Sequence, residues 1–190
     1  MALPQKDEYY TLEDALNWEE HERIEILDGY PVMQASPSTN HQRVVLALAR
    51  QLADYLDDKR CEVFVAPFTV CPFATREDDP RSIDTLVEPD ITVVCDPEKL
   101  DKVGCKGAPD LIIEILSPSS LRHDRLTKHN LYQRAGVREY WIVDPESKTV
   151  QSFVLENGYY AAQDFGDEGD TIQVNVLEDC AIDLSKVFSE

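Results

Sequence analysis

The sequence has no run approaching the ~18 apolar residues of a membrane span, and its first residues, MALPQKDEYYTLED, lack an apolar stretch behind basic ones. A soluble, cytoplasmic chain with no membrane partner is the expectation. There is no C-x-x-C pair. The five cysteines, Cys61, Cys71, Cys95, Cys105 and Cys180, are an odd number placed in mostly apolar or strand-like stretches. That pattern indicates neither a thiolate zinc site nor a disulfide framework, so reduced thiols are expected. Positive charge is scarce: 18 Lys+Arg against 37 Asp+Glu give a formal net charge of -19. Such a field repels nucleic acid and anionic membranes and disfavours a binder of the basic-patch kind. An acidic enzyme that holds a divalent cation on carboxylates stays compatible with DNA, because the ion reverses the local potential. No glycine motif of the phosphate-cradling kind is present, which argues against an enzyme acting on small nucleotides.

What is present is 190 residues, 43% hydrophobic and 29% charged, enough to bury one core and read as one domain, 1–190. Thr11 with Asp14 three residues on reads as a capping box opening a short helix. Arg23 to Leu27 and Tyr30 to Gln34 alternate around Asp28-Gly29, the dipeptide of a two-residue hairpin turn. Ser36-Pro-Ser-Thr39 ends that strand and supplies helix caps. Val45, Leu48, Leu52, Tyr55 and Leu56 make one stripe of a helix over Asn40 to Lys59. Strands are expected at Glu62 to Val65, Phe68 to Phe73 and Val87 to Cys95, with an acidic loop at Ala74 to Asp84. Leu111 to Leu116 is apolar enough for a central strand covered on both faces. A helix over Leu121 to Ala135, a strand at Glu139 to Val143 and a meander over Thr149 to Val176 complete the chain. The order helix-strand-strand-strand-helix-strand, over a core of about residues 36–145, predicts a mixed sheet with helices, of the α/β (α+β) class, flanked by an N-terminal hairpin and a C-terminal β-meander.

Charged residues standing where the pattern calls for apolar ones point to chemistry, since an unpaired buried charge is costly. Glu114 interrupts the most apolar strand. Asp90 opens the strand expected to neighbour it, so two carboxylates can face one cation. In the helix from Leu121, taking about 100° per residue, Leu121, Asp124, Lys128, Leu131 and Ala135 share one stripe, and Lys128 points toward the core. Asp124 and Lys128 are also an i,i+4 pair, and a purely structural ion pair is the plain alternative. His41 shares the stripe of Val45, Leu48 and Leu52; a hydrogen-bonded core histidine is its plain reading. Glu25 lies with Arg23 and Leu27 opposite Ile24 and Ile26, which reads as exposed. Asp90, Glu114 and the Ile115 carbonyl make the hard oxygen set that Mg²⁺ or Mn²⁺ prefers, and a nearby lysine can orient water and stabilise a phosphoryl transition state. The implied chemistry is phosphodiester hydrolysis.

Several ordered motifs share a family likeness. Arg23-Ile-Glu-Ile-Leu-Asp-Gly29, Ser36-Pro-Ser38 before His41, Glu88-Pro-Asp-Ile91, Ala108 through Ser119, Asp124 with Lys128, and Ala135 through Asp144 resemble the Uma-type restriction endonuclease family, formerly a domain of unknown function, within the PD-(D/E)XK nuclease superfamily. The likeness spans roughly residues 10–165. It implies a restriction-endonuclease-like core with Asp90 and Glu114 as metal ligands. The superfamily lysine should stand two residues after the glutamate, where this chain has Leu116; the resemblance implies that Lys128 replaces it from the following helix. Glu25 and His41 match recurrent family positions. The function expected is a metal-dependent DNA endonuclease: Asp90 and Glu114 bind Mg²⁺ or Mn²⁺, Lys128 assists the attacking water, Asp124 positions Lys128, and His41 and Glu25 complete the site. A homodimer is expected, with Leu126 on the outer face of its helix. The alternative is a catalytically silent nuclease-fold interaction or regulatory module in which the same charges form a buried ion network.

Overall fold

Asp28 and Gly29 both have positive φ, 48° and 87°, as a tight hairpin turn between twisted strands requires. A Cβ on Gly29 would sit 2.1 Å from the Tyr9 ring, so close approach as well as backbone angle calls for glycine. The computed structural model describes residues 4–18, 23–117 and 123–189, without the side chains of 123–125. In chain order the elements are α1 (Leu12–Ala15), β1 (Ile24–Leu27), β2 (Tyr30–Met33), α2 (Thr39–Leu56), β3 (Glu62–Val65), β4 (Thr69–Cys71), β5 (Ile91–Val94), β6 (Gly104–Lys106), β7 (Leu111–Ile115) and α3 (His123–Ala135). They continue with β8 (Glu139–Asp144), β9 (Thr149–Glu156), β10 (Tyr159–Asp167), β11 (Thr171–Gln173), β12 (Ala181–Asp183) and α4 (Leu184–Val187). Residues 118–122, where the expected helix begins at Leu121, lie outside the described residues.

Six strands form a mixed sheet in the order β10-β9-β8-β7-β5-β3, and β7 with β8 is its parallel pair. Alternation along the central strands sends side chains to two covered faces. Ile91, Val93, Leu111, Ile113 and Ile115 pack with Val44, Val45, Leu48 and Leu52 of α2. Val94, Ile112, Tyr140 and Ile142 pack with Leu131 and Tyr132 of α3. The expected continuous apolar strand is therefore β7, sandwiched between α2 and α3. Ser38 caps α2 by accepting a hydrogen bond from the His41 N–H at 3.1 Å. Asp14 accepts from the Thr11 N–H at 2.8 Å at the start of α1, as the capping motif predicts.

The hairpin is anchored to the body by a two-way main-chain bridge between Ile26 and Leu86, at 2.9 and 2.8 Å. A third apolar cluster, including Leu12, Ile26, Ile83 and Leu86, fills the space beneath it. The β11, β12 and α4 segment closes the α2 face, where Gln51 pairs with the Asp183 main chain in both directions. Buried Glu139 ties down the same segment, accepting from Trp141 Nε1 at 2.7 Å and the Val176 N–H at 2.8 Å.

Two expectations need correction. Cys61 and Cys95 form a disulfide. The antiparallel register Glu62↔Val94 sets the next pair outward, Cys61 and Cys95, face to face with Cα atoms 3.9 Å apart. Reduced thiols hold for Cys71, Cys105 and Cys180, all buried. The strand expected over Val87 to Cys95 divides: Val87 bridges Val70 while β5 begins at Ile91, because Pro89 cannot donate to a ladder.

Candidate active site

The β5–β7 register pairs Ile91 with Ile113, so the next pair outward is Asp90 with Glu114. Asp90, buried behind Pro89, accepts the Ile115 N–H at 2.8 Å on Oδ2. The same oxygen lies 3.1 Å from His41 Nε2. A carboxylate oxygen only accepts, so His41 carries its proton on Nε2; its Nδ1 is buried and meets no partner among the described residues. The first turn of α2 thereby fixes the Asp90 rotamer from the opposite side of β7.

Glu114 faces α3. Its Oε1 accepts from Lys128 Nζ at 2.9 Å and from the Tyr132 hydroxyl at 2.6 Å. Lys128 also donates to Glu25 Oε1 at 2.9 Å. Glu25 is 1% exposed, which corrects the expectation of a solvent-facing side chain: both faces of β1 are covered, one by the core and one by Lys128. Its Oε1 also accepts the Glu88 N–H at 3.0 Å, and its Oε2 accepts Gln34 Nε2 at 2.7 Å. One ammonium thus joins the hairpin, the central strand and α3.

The electrostatics follow from that sharing. Burial pushes the Glu114 carboxyl up to about 7, with Asp90 and Glu25 adding and Lys128 opposing. Burial alone would lower the Lys128 pKa, but Glu114 and Glu25 outweigh it and hold the ammonium above the ordinary lysine value. Burial, reinforced by Glu114 and Glu25, raises the Tyr132 phenol well above the usual range. Glu88 is raised by burial and Glu25, against Arg23 and Lys128. Lys128 is shared by Glu25 and Glu114, and Asp90 adds its charge to Glu114 from the next strand, so three carboxylates gather around one ammonium beside a cleft.

The structure brings together Asp90, Glu114, Ile115, Lys128, Glu25 and His41. The Asp124 side chain lies outside the described residues. Sequence reasoning missed Tyr132, Gln34 and Glu88 as members of the network. Tyr132 stands one turn after Lys128 on the same face of α3, and that spacing was available as a signal. The hairpin register Glu25↔Val32 makes Gln34 a diagonal neighbour of Glu25 on one face, so the Asp28-Gly29 turn carried that signal too. Among the described residues no three His, Cys, Asp or Glu side chains are grouped to hold an ion. A two-carboxylate set completed by a main-chain oxygen remains, and Asp90 Oδ1 and Glu114 Oε2 accept no hydrogen bond from the described residues.

A family model described as "Putative restriction endonuclease", Uma2, matches residues 7–185. The chain belongs to the Uma2 family. Two uncharacterized proteins of Synechocystis are similar to it. One, slr1290, is 27% identical over 82% of this chain and 75% of its own length. The other, sll1609, is 27% identical over 65% of this chain and 67% of its own. A crystal structure of an Anabaena variabilis protein, described as "a putative nuclease belonging to DUF820", superposes with a TM-score of 0.71 at 18% identity, over 95% of this chain and 98% of that one. At that identity the likeness shows the fold: a nuclease-type mixed α/β sheet. Among the described residues no helix is long and apolar enough to cross a membrane.

Proposed function

We propose that this Uma2 protein is a metal-dependent DNA endonuclease that hydrolyses phosphodiester bonds at the Asp90, Glu114 and Lys128 assembly. The observation that carries the reading is the cross-strand pairing of Asp90 with Glu114 beside one buried lysine. Asp90, Glu114 and the Ile115 carbonyl would hold Mg²⁺ or Mn²⁺; in an extended strand that carbonyl points to the same edge as the Ile115 N–H, which meets Asp90. When bound, the cation supplies the charge that acidifies water and neutralises a phosphoryl oxygen.

The remaining roles fall to this chain's own side chains. Lys128 is too firmly protonated to act as a base. It is a fixed cation whose three N–H donors include two held by Glu25 and Glu114, leaving one for the attacking water or for charge developing on the phosphate. Glu25, itself locked by Gln34 and the Glu88 N–H, sets the position of that ammonium. His41 holds Asp90, and Asp124 is assigned to the positioning of Lys128 through their i,i+4 spacing.

The test is Mn²⁺-dependent nicking of supercoiled plasmid and cleavage of single-stranded DNA, with calorimetric Mg²⁺ titration of the same samples. Asp90→Asn and Glu114→Gln are expected to lose cleavage by about 10²-fold or more and to lose the binding heat. A folded wild type that neither binds the cation nor cleaves would overturn the reading in favour of the silent interaction module.

A further inference from the structure

A cleft of ≈ 330 Å³ opens beside Asp90, between the first turns of α2, the end of β3 and the segment leading into β5. Val45, Val65, Ala66 and Pro67 form apolar walls; Arg23, Gln42 and Glu88 supply polar groups, and Asp90 borders the cleft. This volume stands at the small end of the ~300–1,000 Å³ of small-molecule sites, the scale of one planar heterocycle with its sugar and far below that of a duplex. We infer that the cleft is a nucleobase subsite, taking one unpaired base of a DNA strand next to the phosphate being cut. The inference rests on the nuclease reading and specifies its substrate.

Three observations carry it. The first is continuity: Asp90 belongs both to the cleft and to the ion network, so a base in the cleft places its phosphate at the site. The second is Arg23, whose guanidinium makes no ion pair with any described residue although its charge is felt by Glu88. It is left for a phosphate oxygen. The third is the field of a chain with a net charge of -19. Duplex DNA brings one charge per ~1.7 Å of axis and a single strand about half that density, so an unpaired strand meets less repulsion.

The polar groups also predict which base. Glu88 is held in register by its own N–H on Glu25 Oε1 at 3.0 Å, so its position is tied to that of Lys128. An ionised carboxylate only accepts hydrogen bonds: cytosine offers it an N4 amine hydrogen beside C5–H, whereas the one donor of thymine, N3–H, is flanked by two carbonyl oxygens that repel a carboxylate, so cytosine is favoured over thymine. Gln42, which donates and accepts, completes the edge without changing that preference.

The experiment measures binding separately from cleavage. Single-stranded oligonucleotides carrying 2-aminopurine are titrated with wild type in Ca²⁺, beside an abasic control and the Val65→Phe variant, which fills the cleft from a residue 46% exposed. The fluorescence is expected to change on binding, and the abasic strand and Val65→Phe are expected to bind about tenfold more weakly. In Mn²⁺, oligo(dC) is expected to be cut about tenfold more efficiently than oligo(dT), with Glu88→Gln narrowing the ratio. Absence of a fluorescence change, or equal binding of the abasic strand, would overturn the subsite whatever the cleavage result. Base-dependent binding with no cleavage of any DNA would leave the subsite standing and remove the nuclease reading.

Discussion

At Lys128 the burial of an ammonium is offset by two carboxylates at equal distance, 2.9 Å each, and the Tyr132 hydroxyl shares Glu114 Oε1 with it. A hydrogen bond to a charged group contributes about 1.5–3 kcal/mol, so Tyr132→Phe is expected to lower stability by that order in urea denaturation. Because Lys128 keeps both carboxylates in that variant, cleavage is expected to fall less than in Glu114→Gln. An equal loss in the two would place Tyr132 among the groups that touch substrate. The inward turn of Lys128 could be read from the α3 stripe because helical periodicity fixes direction at a single position. The burial of Glu25 could not. Alternation says which residues share a face, and only the packing of α3 against the hairpin says that both faces of β1 are covered. Tyr132 and Gln34 became readable only through Lys128 and Glu25, their respective neighbours.

Among the elements, the hairpin, α2 and β7 were legible because each carries its own signal: a two-residue turn with positive φ, a four-turn stripe, an unbroken apolar run. The segments β6, β12 and α4, of three or four residues each, are too short for a periodicity to register. They form because distant partners present an edge, as β4 does to β6 in parallel. The Cys61–Cys95 bridge is of the same kind, a consequence of strand register that joins cysteines 34 residues apart in sequence. It predicts that thiol titration of the unfolded, unreduced protein counts the three free cysteines, and all five after reduction. A count of five without reductant would contradict the pairing. Burial pushes Cys71 and Cys105 to about 12 and Cys180 to about 11, so all three should resist thiol reagents in the native protein near pH 8. Since their folded pKa values lie above the ordinary 9.0, their contribution to stability is intact below pH 9 and lost as pH rises toward 12. Urea midpoints are expected to fall over that window, less steeply in a Cys71→Ala, Cys105→Ala double variant; parallel curves would contradict the assignment.

For the whole molecule, the net charge of -19 and the family's nuclease fold pull in opposite directions, and the proposed cation site is where they would be reconciled. Two helices on opposite faces of one sheet bring His41 and Lys128 to the paired carboxylates Asp90 and Glu114, so negative charge is concentrated where a divalent cation would neutralise it. A purely structural ion network would hold the fold through Lys128 and would be indifferent to added metal. A catalytic one depends on both. The measurement that separates them is the Mn²⁺ dependence of plasmid nicking by wild type and Lys128→Met, with thermal melts showing that the variant is folded and Glu25→Gln as a milder displacement of the same ammonium. Nicking that rises with Mn²⁺ in wild type, falls about 10²–10³-fold in Lys128→Met and falls less in Glu25→Gln is the result predicted here. Nicking by a folded Lys128→Met at the wild-type rate, or none by wild type at any Mn²⁺ concentration, would contradict it.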